Sequence, residues 1–212
     1  ITRFLEKPSW GEVFSDTINT GIYILEPEIL DLVPQGEEFD FSKNLFPLLL
    51  EQDLGLYGHV SSGYWRDVGN LHDYQDAHFD AMHRAVRVTI DGTKKGDVYV
   101  GEGSKIDTDE KNLQGPVIIG KNSRIHRGAK IANSVIGDDC EVLPGAVISN
   151  SIIWGGAQIG AKAELATVVL GNKCIVGDEA LIAENVFISD QCVIGKKSHL
   201  LSNIKLWPEK VV

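Results

Sequence analysis

Between residues 119 and 200 aliphatic side chains recur at a spacing that few folds can use. Leu170, Val176, Ile182, Ile188, Ile194 and Leu200 stand six residues apart without exception. Upstream, three triplets keep the same step: Ile119/Ile125/Ile131, Ile136/Val142/Ile148 and Ile153/Ile159/Leu165. The triplets begin at 119, 136, 153 and 170, so two steps of six and one of five make a period of 17 residues. That period is neither the 3.6 of an α-helix nor the 2 of a strand taken alone. It fits a chain that turns three times per circuit and lays each short side on the one before.

A second register supports the first. Four residues after each aliphatic position stands a small or β-branched residue: Ser123, Ala129, Val135, Cys140, Ala146, Ile152, Ala157, Ala163, Val169, Cys174, Ala180, Val186, Cys192 and Ser198. This pattern predicts an aliphatic residue inside each face and a small one beside each corner. Gly120, Gly137, Gly160, Gly171, Gly177 and Gly195 directly follow aliphatic positions, where the sequence predicts a corner that needs permissive backbone. Together these features are the signature of a hexapeptide-type parallel β-helix. Its coils would lie about 4.8 Å apart around a continuous aliphatic column, with room for about six coils of ~17–18 residues between Val100 and Ile204. Asp107–Gly115 breaks the spacing and reads as a loop thrown outward.

The same period places Cys140, Cys174 and Cys192 in one inner column. A metal site would need further ligands aimed at that column, and Ala157 interrupts it, so the cysteines read as small core residues. Three cysteines are also too few for a disulfide scaffold, which points to a reducing cytoplasm. A net charge of −10 excludes a nucleic-acid backbone as partner. No apolar run reaches membrane-span length, and Ile1–Arg3 opens without a methionine or a signal-peptide pattern.

Composition changes sharply before the repeats. Phe4, Phe14, Phe39, Phe41, Phe46 and Phe79 all precede residue 90. The boundary falls near Arg84–Gly96, with Asp91-Gly92-Thr93-Lys94-Lys95-Gly96 reading as turn and linker, which gives domains 1–90 and 97–206. In the first domain Arg3–Leu5, Thr20–Leu25, Leu56–Val60 and Tyr64–Asp67 read as strands. Pro27 opens a helix through Val33, Ser42 caps a second, and Asn70 with Asp73 starts a third that runs to about His83. This order suggests part of an α/β layer, in which so many large apolar groups would leave much of the sheet uncovered.

Three motifs in order now carry a resemblance. Phe4-Leu5-Glu6-Lys7-Pro8, Asn19-Thr20-Gly21-Ile22-Tyr23-Ile24 and Gly63-Tyr64-Trp65-Arg66-Asp67-Val68-Gly69 look like the second half of a sugar-1-phosphate nucleotidyltransferase. Phe39-Asp40-Phe41-Ser42-Lys43-Asn44-Leu45-Phe46-Pro47 narrows it toward mannose-1-phosphate guanylyltransferases, and Trp207-Pro208-Glu209-Lys210 resembles the close of their β-helix. The fold implied is an α/β remnant of the nucleotidyltransferase domain followed by an all-β parallel β-helix, left-handed as in known hexapeptide proteins. The reaction implied joins a nucleoside triphosphate to a sugar 1-phosphate, giving a nucleoside-diphosphate sugar (GDP-mannose) and pyrophosphate.

Roles follow from the resemblance. Glu6 would accept from sugar hydroxyls and Lys7 would meet phosphate as a point charge. Asn19 and Gly21 would contact the hexose, and Asp67 would be one of two aspartates on Mg²⁺. Taken singly, Glu6-Lys7 reads as a solvated charge pair, Asn19 as a turn residue and Asp67 as a turn acceptor. The family's Gly-rich nucleotide loop and its first metal aspartate have no counterpart here, so the chain as given is expected to be inactive alone. Two other classes stay open. One is a non-catalytic regulatory relative, against which Glu6, Lys7 and Asp67 argue. The other is a hexapeptide acyltransferase using His126 or His199 as base, although both also read as solvated surface histidines. A homo-oligomer formed through the β-helix is the expected assembly.

Overall fold

The computed structural model describes residues 1–5, 9–13 and 15–212. It divides into two compact units, Ile1–Asp67 and Val68–Val212. The compositional change lies further along the chain, because the helix Leu71–Met82 resembles what precedes it but packs on the coils that follow. Among the described residues no helix is long and apolar enough to cross a membrane.

The second unit is a parallel β-solenoid, and its rungs follow the six-residue register. Ile119, Ile136, Ile153 and Leu170 pair in succession on one side. Ile125, Val142, Ile159, Val176 and Ile194 do so on the next, and Ile131, Ile148, Leu165, Ile182 and Leu200 on the third. Each of these side chains is at most 5% exposed. One face stacks six strands. The outward segment expected over Asp107–Gly115 is instead part of the first coil. A short 3₁₀ turn, Glu110–Asn112, leads into a strand whose Leu113 pairs with Ile131. The expected linker at Asp91–Gly96 likewise contains a strand, Thr93–Lys95, in a hairpin with Val98–Val100.

The corners work differently from the sequence expectation. Gly120, Gly137, Gly160, Gly171, Gly177 and Gly195 do not have positive φ. They are glycines because the neighbouring coil's backbone lies against them: a Cβ on Gly160 would sit 2.5 Å from the amide nitrogen of Asp178. The left-handed residue comes later, directly before the small inner residue. Asn122, Asp139, Lys162, Thr167, Lys173, Glu179, Gln191 and Lys197 all hold φ between 55° and 61°. Such conformations cost an L-residue about 1–2 kcal/mol. Bonds between coils hold them in place, as when Lys173 N–H donates to Gly155 O at 2.9 Å and Glu179 N–H to Ala161 O at 2.9 Å.

The third side explains the step of five. There the inner corner residues are Ser134, Ser151 and Val168, each 0% exposed. Val135, Ile152 and Val169, which the register places beside corners, point outward, and with Phe187 they form an apolar stripe. Helix α1 (Leu71–Met82) lies on that stripe. Asn70 caps it, accepting from His72 N–H at 2.9 Å and Asp73 N–H at 3.0 Å, as the sequence indicates. Buried Gln75 donates to Asn150 O at 3.3 Å, His72 meets the Phe187 ring edge-on, and Tyr74 sits beside Trp154. One apolar face and one buried amide therefore fix the helix along the coils.

In the first unit no strand forms among the described residues. The segments read as strands form no ladder among the described residues, and Gly21, at φ +73°, bends the chain inside Thr20–Leu25. Ile22, Ile24, Tyr57 and Val60 are each at least 77% exposed, as expected for sheet faces with nothing packed on them. A cluster of Leu45, Phe46 and Leu49 holds the unit together, with Phe4, Ile29, Leu32, Phe39, Phe41 and Leu56 around it. Pro27 opens a 3₁₀ helix, Pro27–Leu32. The next helix is capped by Asp40, not Ser42: Asp40 accepts from Lys43 N–H at 2.9 Å, and a π-turn at Phe41–Leu45 runs into the helix Phe46–Glu51.

Two pairs of substitutions test this description. Ile182→Asp buries an unpaired charge and should cost at least about 4 kcal/mol. Lys196→Ala removes only an exposed pair with Asp178 (3.4 Å) and should cost under about 1 kcal/mol. Thermal melts of comparable midpoint would show the register to be wrong. Gly160→Ala should lose about 2–4 kcal/mol through coil–coil overlap. Gly128→Asn should be tolerated, because φ there is +74° and an added Cβ would meet nothing closer than 3.7 Å; urea midpoints decide between the two.

Candidate functional site

The residues proposed to meet the sugar begin at a tight turn. Asn19 Oδ1 accepts from Gly21 N–H at 3.0 Å, closing the turn from within. A backbone N–H can only donate, so the atom facing it must be the carboxamide oxygen, which orients the whole amide. Its nitrogen then donates to the Tyr23 hydroxyl at 2.7 Å and reaches Ser42 Oγ at 3.5 Å. The Tyr23 ring packs edge-on against Phe46 at 4.9 Å, and Phe4 meets Phe46 at 5.0 Å. The aromatic cluster thus holds Tyr23, Tyr23 holds Asn19, and Asn19 holds the backbone of Gly21. Gly21 has φ +73°, and a Cβ there would meet nothing within 4 Å. The turn reading of Asn19 is therefore correct as local structure, and it leaves open space above the glycine. Tyr23 and Ser42 stand inside quoted motifs, and Ser42 was read as a helix cap, but residue type and spacing gave neither a place beside Asn19.

The other expected site residues are placed less closely. Glu6 and Lys7 lie outside the described residues. Asp67 is exposed at the end of the first unit. Among the described residues no three acidic, histidine or cysteine side chains gather as a metal cluster.

In the second unit His126 Nε2 lies 2.8 Å from Glu141 Oε1, while His199 is exposed. A groove of about 500 Å³ opens where α1 begins on the coils, bounded by Tyr74, Trp154, Phe187, Asp190, Lys205 and Trp207. Neither histidine lines it.

Residues 1–84 match the nucleotidyl transferase family, and residues 95–200, half of the chain, match the EIF2B subunit epsilon LbH domain. Over that half the chain belongs to the LbH domain family, and its first 84 residues are similar to the nucleotidyl transferase family. A UTP–glucose-1-phosphate uridylyltransferase of Synechocystis sp. is 38% identical over 82% of this chain and 46% of its own length. A mannose-1-phosphate guanylyltransferase of Mycobacterium tuberculosis is 30% identical over 65% of this chain and 38% of its own. A glucose-1-phosphate adenylyltransferase of Desulfitobacterium hafniense is 29% identical over 93% of this chain and 47% of its own. The chain spans about half the length of the curated relatives it matches. A perosamine N-acetyltransferase from Caulobacter crescentus shares 18% identity at a TM-score of 0.40, which carries no argument about function.

The cysteines of this chain are more than fillers. Cys140 Sγ donates to Trp154 O, Cys174 Sγ to Ser189 O and Cys192 Sγ to Trp207 O, each at 3.1 Å. Ser123 Oγ does the same to Gly137 O at 2.7 Å. The column therefore supplies a donor to carbonyls turned inward at one corner, a role that residue type and spacing do not reveal because it needs the coil geometry. Burial pushes the Cys174 thiol up to about 11 and raises that of Cys140, so both stay protonated donors at neutral pH. With the folded-state value raised, the Cys174 contribution is complete below pH 9 and is lost as pH rises toward 11. A disulfide-based thiol reagent at pH 8 should label none of the three in native protein and all three in guanidinium. Rapid labelling of any one of them without denaturant would contradict the assigned donors.

Proposed function

We propose that this chain supplies the sugar-recognition and β-helix parts of a nucleotidyltransferase that makes a nucleoside-diphosphate sugar from a nucleoside triphosphate and a sugar 1-phosphate. The observation that supports it best is the Asn19–Gly21 turn. It is held from below by Tyr23 and open above, within the residues that match the nucleotidyl transferase family. In this reading Gly21 lets a hexose ring approach backbone directly. Glu6 accepts from sugar hydroxyls and Lys7 compensates phosphate charge.

The reaction forms a bond from the sugar-phosphate oxygen to the α-phosphorus. It breaks the bond between that phosphorus and the oxygen bridging to the β-phosphate, and the electron pair leaves with pyrophosphate. Asp67 fits the implied Mg²⁺: it is an exposed hard-oxygen donor, and Mg²⁺ is commonly held by one or two carboxylates plus substrate phosphates. When bound, the ion would neutralise phosphate charge.

GDP-mannose is the proposed product, on the motif Phe39–Pro47 and the similarity to mannose-1-phosphate guanylyltransferases. UDP-glucose is the second reading, favoured by the 38% identity to the Synechocystis uridylyltransferase. The substrates would be met in the cytoplasm by a homo-oligomer.

The test is pyrophosphate release by the full-length protein from GTP with mannose 1-phosphate, beside UTP with glucose 1-phosphate, at saturating magnesium. Asp67→Asn keeps size and shape and should lower turnover at least about 100-fold with an unchanged melting temperature. Near-normal release by a well-folded variant would remove Asp67 from the site. No release from any pair would remove the function.

A further inference from the structure

The hydrogen-bond chain beneath Gly21 extends the proposed sugar site by one residue. We propose that Tyr23 is a positioning residue for sugar recognition, orienting the Asn19 carboxamide and through it the Gly21 backbone on which the hexose would rest. The inference depends on the function proposed above and adds to it a role for Tyr23, which lies within the motif Asn19–Ile24 but was given none by it.

Three observations carry it. First, Asn19 has little freedom: its oxygen is taken by Gly21 N–H at 3.0 Å and its nitrogen by the Tyr23 hydroxyl at 2.7 Å. Without the tyrosine oxygen the amide nitrogen would keep only the long contact to Ser42 Oγ at 3.5 Å. Second, the hydroxyl is itself fixed. The Tyr23 ring is wedged against Phe46 and Phe41, with centroids 4.9 and 6.1 Å away, and Phe46 is 2% exposed in the core of the unit. The core therefore sets the position of a surface hydroxyl to within a rotamer. Third, Gly21 is in the left-handed region at φ +73° with open space where a side chain would be. A glycine there is readily displaced among several backbone conformations unless something outside it selects one. Asn19 is that selector, and it selects only while its amide is held the right way round.

The hydroxyl also has spare capacity. Accepting from Asn19 leaves the phenolic proton to donate, and the second lone pair of Asn19 Oδ1 can still accept. A donor and an acceptor side by side match the hydroxyl groups of a hexose, the group that the function proposed above places over Gly21. The effect of Tyr23 should accordingly fall on the sugar substrate alone.

Tyr23→Phe keeps the ring packing and deletes one oxygen. In the full-length protein it should raise KM for sugar 1-phosphate about 5- to 10-fold, with KM for the nucleoside triphosphate and the melting temperature unchanged. Backbone exchange gives a readout independent of turnover: the Gly21 amide should exchange about 10-fold faster in Tyr23→Phe, while that of Leu49 stays as slow as before. Ser42→Ala, which removes the longer contact, should have a smaller effect on both measures. Unchanged sugar KM and unchanged Gly21 exchange in a turnover-competent Tyr23→Phe enzyme would overturn the positioning role and leave the function standing. A lower melting temperature with no KM shift would reduce Tyr23 to a packing residue. An unsubstituted protein that releases no pyrophosphate from any pair would overturn both.

Discussion

Everything in the second unit depends on one coil lying flat on the next at hydrogen-bonding distance. Parallel ladders fix that separation at about 4.8 Å, which leaves no room for a Cβ wherever a corner passes over backbone. This is why Gly120, Gly137, Gly160 and Gly177 are glycines although their φ angles suit any residue. It is also why residues as unsuited to the left-handed region as Thr167 and Lys173 are held there. The turn has to close in a set number of residues, and the ladder on either side imposes the conformation. The strain of about 1–2 kcal/mol per corner is offset by the aliphatic column, each fully buried Ile contributing about 1.5–3 kcal/mol.

The same stacking decides what the outside can do. A corner shortened by one residue on the third side moves Val135, Ile152 and Val169 to the exterior, and a solenoid then has an apolar stripe that water should not meet. Helix α1 covers it, anchored by Tyr74 and by the Gln75 bond to Asn150 O. Inward-turned carbonyls at another corner need donors, and Ser123, Cys140, Cys174 and Cys192 provide them. These features are consequences of coil geometry acting on residues whose types alone would permit several roles.

The first unit is organised by packing instead of by a ladder. A small aromatic core around Phe46 holds Tyr23, and from Tyr23 the order passes by hydrogen bonds to Asn19 and Gly21. A surface turn thereby gains the rigidity that a ligand site requires, without a regular strand beneath it. The exposed Ile22 and Ile24 alternate with this path outside any strand.

The sequence by itself determined the solenoid and its inner register. A side chain recurring every 6, 6 and 5 residues has only one way to stay buried, and all three inner columns lie where the spacing puts them. It also marked the cap at Asn70 and the family of the chain, since both reside in local patterns. Only the tertiary structure decided which residue turns each corner, because steric contact between residues 17 apart is not written in either of them alone. It likewise decided that Leu113 joins the column, that Val135, Ile152 and Val169 face out beneath a helix, and that Asp40, not Ser42, caps the helix of the first unit. The strands expected at Thr20–Leu25 and Leu56–Val60 do not form, because alternation along a segment specifies a strand only when another strand pairs with it.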